Sequence, residues 1–410
     1  MSLTRFLPVP SDRMGIIWSL LSIRDAVVLE YGPAGTTHFS MSLYGDIGIE
    51  QENRLFTTHM REDDVIMGDT SRLENAIIEI DKNFEPKVIF IVASSCSAVI
   101  GTDLRGVCAM VAPKVEAKLI TFEQGGFRGD YSVGLREIYK LLSEKIIDGD
   151  GKKIEGTYNI LGASIGSYRC RADVIEIKRM IKEAYGLECG ACMCLDSSLE
   201  QIKNIGSGGL NIVLRPEAIE TAKFLEKKYG TPYVFGTPYG YRGSMEWLQS
   251  IGMLIGKKPS EDIMQELKKK TMSASQYKMY GRMLKRDKAE AYLYGDAETV
   301  IGLASFLNDM GINAAYMISM HNLSGLKEIP ADIKYMPVEK ERLEILKSLR
   351  SKLVLADDTS KRFLDCSNTF LRISNPMIDG ALVADHMPVA GIRGADMIME
   401  YVSGYFNTIR

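Results

Sequence analysis

Seven cysteines are spread through the 410 residues, and two of their settings could support chemistry. Cys96 lies in the stretch Lys87 to Leu104, KVIFIVASSCSAVIGTDL, just past its apolar run. A thiol at the end of a buried strand can face a crevice or an interface instead of a core, and iron–sulfur clusters take thiolate ligands, commonly four. The competing reading is a small residue closed into the core, where cysteine is often found. Cys189, Cys192 and Cys194 form the densest thiol group, Cys-x-x-Cys-x-Cys, a pattern able to hold a metal or a cluster. They fall in an expected strand, where Cys192 and Cys194 share one face and Cys189 points to the other. That disfavours three ligands to one centre unless the strand ends near Cys192. Cys192 and Cys194 alone, facing a pocket, are the more modest alternative. Cys108, Cys170 and Cys366 read as isolated helix or core residues.

Three glycine-bearing loops follow expected strands: residues 32–37 (with Gly32, Gly35, Thr36 and Thr37), 125–129 (with Gly126 and Arg128) and 162–166. Backbone N–H groups in such loops can hold an anion or cluster sulfides. No loop carries a G-x-G-x-x-G fingerprint or a P-loop lysine, so this chain is not expected to bind ATP itself. Arg128, Arg215, His386 and Arg393 lie after strand ends or beside such loops. Together they could converge on one cleft; singly, each reads as an exposed charge or a local cap. Arg215 would suit an anionic ligand such as a carboxylate.

The elements that must position these residues follow an α/β pattern. Val88 to Ala93 is a continuous apolar, β-branched run, the habit of a parallel strand buried on both faces. The working end of such a sheet lies beyond the carboxyl ends of its strands, which is where Cys96 sits. Further strands are expected at 26–30, 55–60 and 116–122, with helices at 13–24, 71–84 and 134–147. Residues 61–64 and 68–70 read as polar loops. A polar linker spans 148–156. A second series follows, with strands at 157–161, 187–195 and 209–214 and helices at 172–185, 196–205 and 216–229. Residues 244–285 read as a helical, increasingly basic arm. A third series has strands at 291–294, 312–318, 352–356 and 380–384 and helices at 298–310 and 396–406. The expected architecture is α/β, three Rossmann-like units with parallel sheets flanked by helices, over 1–150, 151–285 and 286–410.

Composition narrows the function classes. A formal net charge of −3 gives no electrostatic case for nucleic acid. No apolar run reaches the length of about 18 residues that a membrane span needs. An odd number of cysteines and no recognisable export signal point to a reducing cytoplasm rather than a disulfide framework.

Several stretches, taken in order, resemble the nitrogenase component 1 family, which includes nitrogenase subunits, their cofactor-assembly paralogues and dark-operative protochlorophyllide reductase. They are EYGPAGT (30–36), FTTHMREDDVIMGD (56–69), FEPKVIFIVASSCSAVIGTDL (84–104) and EQGGFRG (123–129). Later come YNILGASIG (158–166), GGLNIVLRPEA (208–218), KKYGTPY (227–233), YLYGDAETVIGLASFLNDMGI (292–312) and HMPVAGI (386–392). Each motif is weak alone; their shared order carries the resemblance over most of the chain.

The resemblance implies a subunit of a two-component oxidoreductase that accepts electrons from an ATP-dependent iron protein. It implies an interfacial iron–sulfur cluster of the 4Fe-4S kind, shared with a homologous subunit in a homo- or heteromer. On the family pattern Cys96 takes the third cluster-cysteine position. The second falls on Thr36 or Thr37 and the first near Arg13 or Met14, so this chain supplies one of the usual three. Asp63, Asp64, His38 and His59 are possible substitutes. The family's cofactor cysteine falls at Arg215 and its cofactor histidine near His386, so a nitrogenase-type iron–molybdenum cofactor is not expected. The alternatives are a non-catalytic metallocluster-assembly scaffold, a degenerate partner of a cysteine-rich homologue, and a cluster-free small-molecule binding protein on the same fold.

Overall fold

The computed structural model describes residues 4–5, 9–37, 54–149, 151–283, 289–323, 332–378 and 386–408. His38 and the strand expected at 380–384 lie outside them. The chain packs as two compact units. One comprises Pro10–Gly149 with Ala191–Ile205; the other comprises Met1–Val9, Asp150–Gly190 and Gly206–Arg410.

The first unit is built on β1 (Ala26–Tyr31), β2 (Leu55–Thr57), β3 (Val88–Ala93) and β4 (Lys118–Phe122), in the order β2-β1-β3-β4. All neighbours run parallel. Every residue of β1 and β3 is buried. β-branched side chains tolerate that double-sided burial well, since their stiff χ1 matches the pleated surface. The helix Ser71–Phe84 lays Leu73, Ile77 and Ile80 onto the same core as Leu29, Ile89 and Ile91. Burying each such side chain is worth about 1.5–3 kcal/mol. Residues 61–64, expected as loop, begin a short helix, Glu62–Met67. The Asp64 carboxylate accepts from the Arg61 backbone N–H at 2.8 Å and closes its first turn, and Gly68 in the left-handed region ends it.

The second unit carries two sheets. One has β5 (Thr157–Leu161), β6 (Glu188–Cys192), β7 (Asn211–Val213) and β8 (Tyr233–Phe235), in the order β6-β5-β7-β8. The other has β9 (Glu290–Gly295), β10 (Asn313–Ser319), β11 (Lys334–Tyr335), β12 (Leu353–Ala356) and β13 (Thr369–Arg372), in the order β11-β10-β9-β12-β13. Their neighbours pair in parallel. β9 is the hub of its sheet and is all but fully buried. β8, β11 and β13 are too short and mixed in composition to stand out in the sequence. The expected helical arm is two helices, Gly240–Ile255 and Glu261–Met283. Gly256, at φ 66°, terminates the first, and Pro259 follows in the connection. No described helix is long and apolar enough to cross a membrane.

Candidate functional site

Two groups of polar side chains gather beyond carboxyl strand ends, one in each unit. In the first unit β3 runs into Ser94, whose hydroxyl accepts from the Ser97 N–H at 3.2 Å and starts the helix Ser95–Val99. Cys96 lies on the first turn of that helix and is exposed. Both glycine loops press against this turn. A Cβ on Gly32 would stand 2.4 Å from the Ser94 Cβ, and one on Gly125 would stand 2.4 Å from the Ala98 Cβ. Only glycine permits such approach. The Ser95 hydroxyl donates to the Gly125 carbonyl at 2.7 Å, and the Ser97 hydroxyl donates to the Tyr31 carbonyl at 2.7 Å. Gly126, at φ 92°, turns the second loop against Ser11. Thus Cys96, Gly32 and Gly126 occupy one edge. Gly35 has open space where a side chain would stand. Arg128 is exposed and pairs with Glu137 at 3.6 Å. His59 is exposed.

The positions expected to face a cluster beside Cys96 are engaged with one another. Glu30, fully buried on β1, is ion-paired with the Arg13 guanidinium. The Thr37 hydroxyl donates to Glu30 Oε2 at 2.9 Å, and the Thr36 hydroxyl shares its one proton between Glu30 Oε1 at 3.0 Å and the Pro33 carbonyl at 2.8 Å. One carboxylate therefore ties together the places where the resemblance puts the first two cysteines. No thiolate stands there, and both hydroxyls lie within hydrogen-bond distance of Glu30. Among the described residues no three His, Cys, Asp or Glu side chains converge to hold a metal ion. Among the described residues, this edge does not fit a cluster held by this chain alone, and Cys96 is its one exposed thiol.

The Cys-x-x-Cys-x-Cys group is not assembled as a ligand set. β6 ends at Cys192, and Cys194 turns into the left-handed region at φ 61°. Both are buried. Burial pushes the Cys194 thiol well up, opposed only in part by the Ser19 hydroxyl. A thiol held protonated in apolar surroundings is a poor metal ligand.

The second unit holds a cavity beyond the carboxyl ends of β5, β7, β8 and β9. Its wall includes Ser167, Asp173, Arg215, Tyr239, Asp296 and Glu298. Arg215 follows β7, and its side chain is 4% exposed. Nη1 and Nη2 grip the two oxygens of Asp296 at 2.9 and 3.2 Å. Nη1 also meets Glu298 Oε1 at 3.0 Å and donates to the Ser167 hydroxyl at 2.6 Å, and Nε reaches Glu217 Oε2 at 3.3 Å. Arg215, expected as the receiver of an anion, is ion-paired with carboxylates of its own unit. It faces inward on the cavity wall.

Other ionisable groups complete this cage. Burial raises Glu298, with the Arg215 charge pulling the other way. Burial raises Asp173 to about 7, although its Oδ1 accepts from the Val389 and Ala390 N–H groups at 2.6 and 2.9 Å. His321 is fully buried, and its Nε2 accepts from the Ala297 N–H at 3.3 Å, so its proton sits on Nδ1. Glu217 Oε1 lies 4.0 Å from that Nδ1. His386 is exposed and is not among the cavity-lining residues. Sequence reasoning missed Asp173, Glu217, Asp296, Glu298 and His321. The available signal was charged residues directly after strands: Asp296 and Glu298 follow β9, and Glu217 lies two residues past Arg215.

Parallel sheets with polar groups gathered beyond their carboxyl ends define a multi-sheet α/β protein. The family model for nitrogenase component 1 type oxidoreductases matches residues 11–406. The chain belongs to that family. It is 29% identical over 298 residues to the nitrogenase iron-molybdenum cofactor biosynthesis protein NifE of Clostridium pasteurianum, a match covering 70% of this chain and 63% of that protein. The chain thus answers to less than two thirds of that relative's length. It is 25% identical over 354 residues to a light-independent protochlorophyllide reductase subunit of Chloroflexus aurantiacus, covering 81% of this chain and 64% of that one. A solved structure of nitrogenase Cp1 at pH 6.5 superposes with a TM-score of 0.80 at 17% identity, covering 99% of this chain and 94% of that one, which shows the shared fold.

Proposed function

We propose that this chain is the ligand-poor subunit of a nitrogenase-like two-component reductase. It places Cys96 at an interface with a homologous, cysteine-richer subunit, and an iron-protein-like ATPase supplies electrons to the pair. A shared iron–sulfur cluster of the four-iron kind would take one thiolate from this chain and the others from its partner. The acid-lined cavity around Arg215 is the substrate site, on the rule that open α/β sheets bind ligands beyond their carboxyl strand ends. The carrying observation is the exposed thiol of Cys96 on a turn braced by both glycine loops.

A second reading, a non-catalytic assembly scaffold or degenerate partner, draws on the engaged Arg13–Glu30–Thr36–Thr37 group. Iron and sulfide analysis of anaerobically purified protein, alone and co-expressed with a homologous subunit, tests the proposal. Iron appearing only in the co-purified pair, and lost in Cys96→Ser, is the expected result. A pair without iron, or one whose iron survives Cys96→Ser, refutes Cys96 as a ligand. Electron uptake from the iron protein under ATP turnover separates reductase from scaffold.

A further inference from the structure

We propose that the cavity beside Arg215 takes a short-chain primary ammonium ion, seated on the unpartnered Oε2 of Glu298. The inference rests on the reading of this cavity as the substrate site and names its ligand class. Glu298 has a side chain 10% exposed, and its Oε1 is held by Arg215 at 3.0 Å. Its Oε2 is buried without a hydrogen-bond partner. A buried acceptor left unmet costs about 1–3 kcal/mol, so a ligand that donates there gains what the apo site lacks.

Few other groups of the wall compete to define the ligand, because they are already committed. Arg215 is shared among Ser167, Asp296, Glu217 and Glu298. The Tyr239 and Thr299 hydroxyls pair at 2.8 Å, and the Thr237 hydroxyl donates to the Leu214 carbonyl at 3.0 Å. Once Glu298 gives up its proton, its unmet Oε2 is an acceptor, which calls for a donor. Charge selects the kind. With the Glu298 proton displaced, Asp296 and Glu298 face the cavity as two carboxylates against one guanidinium, and Asp173 adds a third acid to the wall. An anion would enter against that surplus in a poorly screened site, and a neutral alcohol would leave the surplus unanswered. The apolar part of the wall, Ile177, Leu214, Ile373 and Val389, suits a short alkyl chain.

Proton release should accompany binding. The groups acting on Glu298 are Arg215, Asp296 and Glu217, with Tyr239 and Asp173 also on the wall and His321 against Glu217. Burial keeps a proton on Glu298 in the empty site, and an ammonium ion replaces it. Affinity therefore rises with pH until the empty site itself loses that proton.

Saturation-transfer NMR titrations of the purified full chain with n-propylammonium, n-propanol and propionate test this. The expected result is that propylammonium binds at least about tenfold tighter than propionate or propanol, that its affinity rises between about pH 6 and pH 8, and that Glu298→Gln weakens it about tenfold. Propionate binding as tightly as propylammonium, no propylammonium binding at all, or an unchanged affinity in a folded Glu298→Gln protein overturns it. Should Glu298→Gln fail to fold by circular dichroism, the ranking of the three probes on the wild-type chain decides. None of these titrations depends on iron content, so their failure is distinguishable from failure of the Cys96 reading.

Discussion

Glu30 offers the sharpest perturbation of the sheet edge that carries Cys96. Its carboxylate is fully buried and accepts from Arg13, Thr36 and Thr37. Glu30→Gln keeps the shape but leaves the Arg13 charge, on a side chain 10% exposed, without its counter-charge. Breaking a buried pair on one side costs about 3–5 kcal/mol, whereas replacing both partners by neutral groups of similar size is often close to neutral. Arg13→Met should cost a similar amount alone, and the double variant well under the sum. Each unit carries one tryptophan, Trp18 in the first and Trp247 in the second, out of two in the chain. Urea unfolding followed through Trp18, in a Trp247→Phe background, therefore reads the unit that holds Glu30. With a slope of about 2 kcal/mol per M, Glu30→Gln should lower the midpoint by about 1.5–2.5 M. A single-variant loss below about 1 kcal/mol, or strict additivity in the double variant, would refute the claim that one carboxylate holds this edge together.

Other outcomes follow from the same geometry. Asp173 is raised by burial to about 7, so its folded form binds a proton that the unfolded chain releases near its ordinary value of 3.8. Its contribution to stability is present below about pH 4 and fades as the pH rises to about 7. Asp173→Asn keeps an acceptor for the Val389 and Ala390 N–H groups and should flatten that slope, as followed by Trp247 fluorescence. Arg215→Met strands the acidic groups of Glu217, Asp296 and Glu298 and should cost about 3–5 kcal/mol in the Trp247-reported transition; a loss under about 1 kcal/mol would contradict the ion-paired cage. In thiol titrations of the isolated native chain, the exposed Cys96 and Cys366 should react fast and the buried Cys108, Cys170, Cys192 and Cys194 only on unfolding. Fast labelling of Cys194 would contradict its enclosure.

The strand cores were legible because they obey one simple signal. The runs at 26–30, 88–93 and 291–294 are apolar enough to exclude anything but a doubly buried strand, and each is one. The short edge strands β8, β11 and β13 were not, because their pairing is set by neighbours rather than by their own composition. The helix at Glu62–Met67 hid behind four polar residues whose capping hydrogen bonds, not their hydrophobicity, build it. At the candidate sites, Cys96 and its two glycine loops could be placed from strand ends alone. The Glu30 network could not, since a glutamate within an apolar strand shows no partner until the chain closes. Arg215 was found without its partners for the same reason: two of its carboxylates lie 81 and 83 positions away, at 296 and 298.

The Glu30 network also bears on how this chain can change over generations. Restoring a thiolate at position 36 or 37 by one substitution would not simply add a ligand. It would remove a hydroxyl donor from a buried carboxylate that still balances Arg13. Changing Arg13 first would strand Glu30, and changing Glu30 first would strand Arg13. Each first step passes through a less stable protein, so the old ligand set is regained by concerted change or not at all. Three ordinary polar residues and an arginine thus act as a ratchet against thiolates at positions 13, 36 and 37.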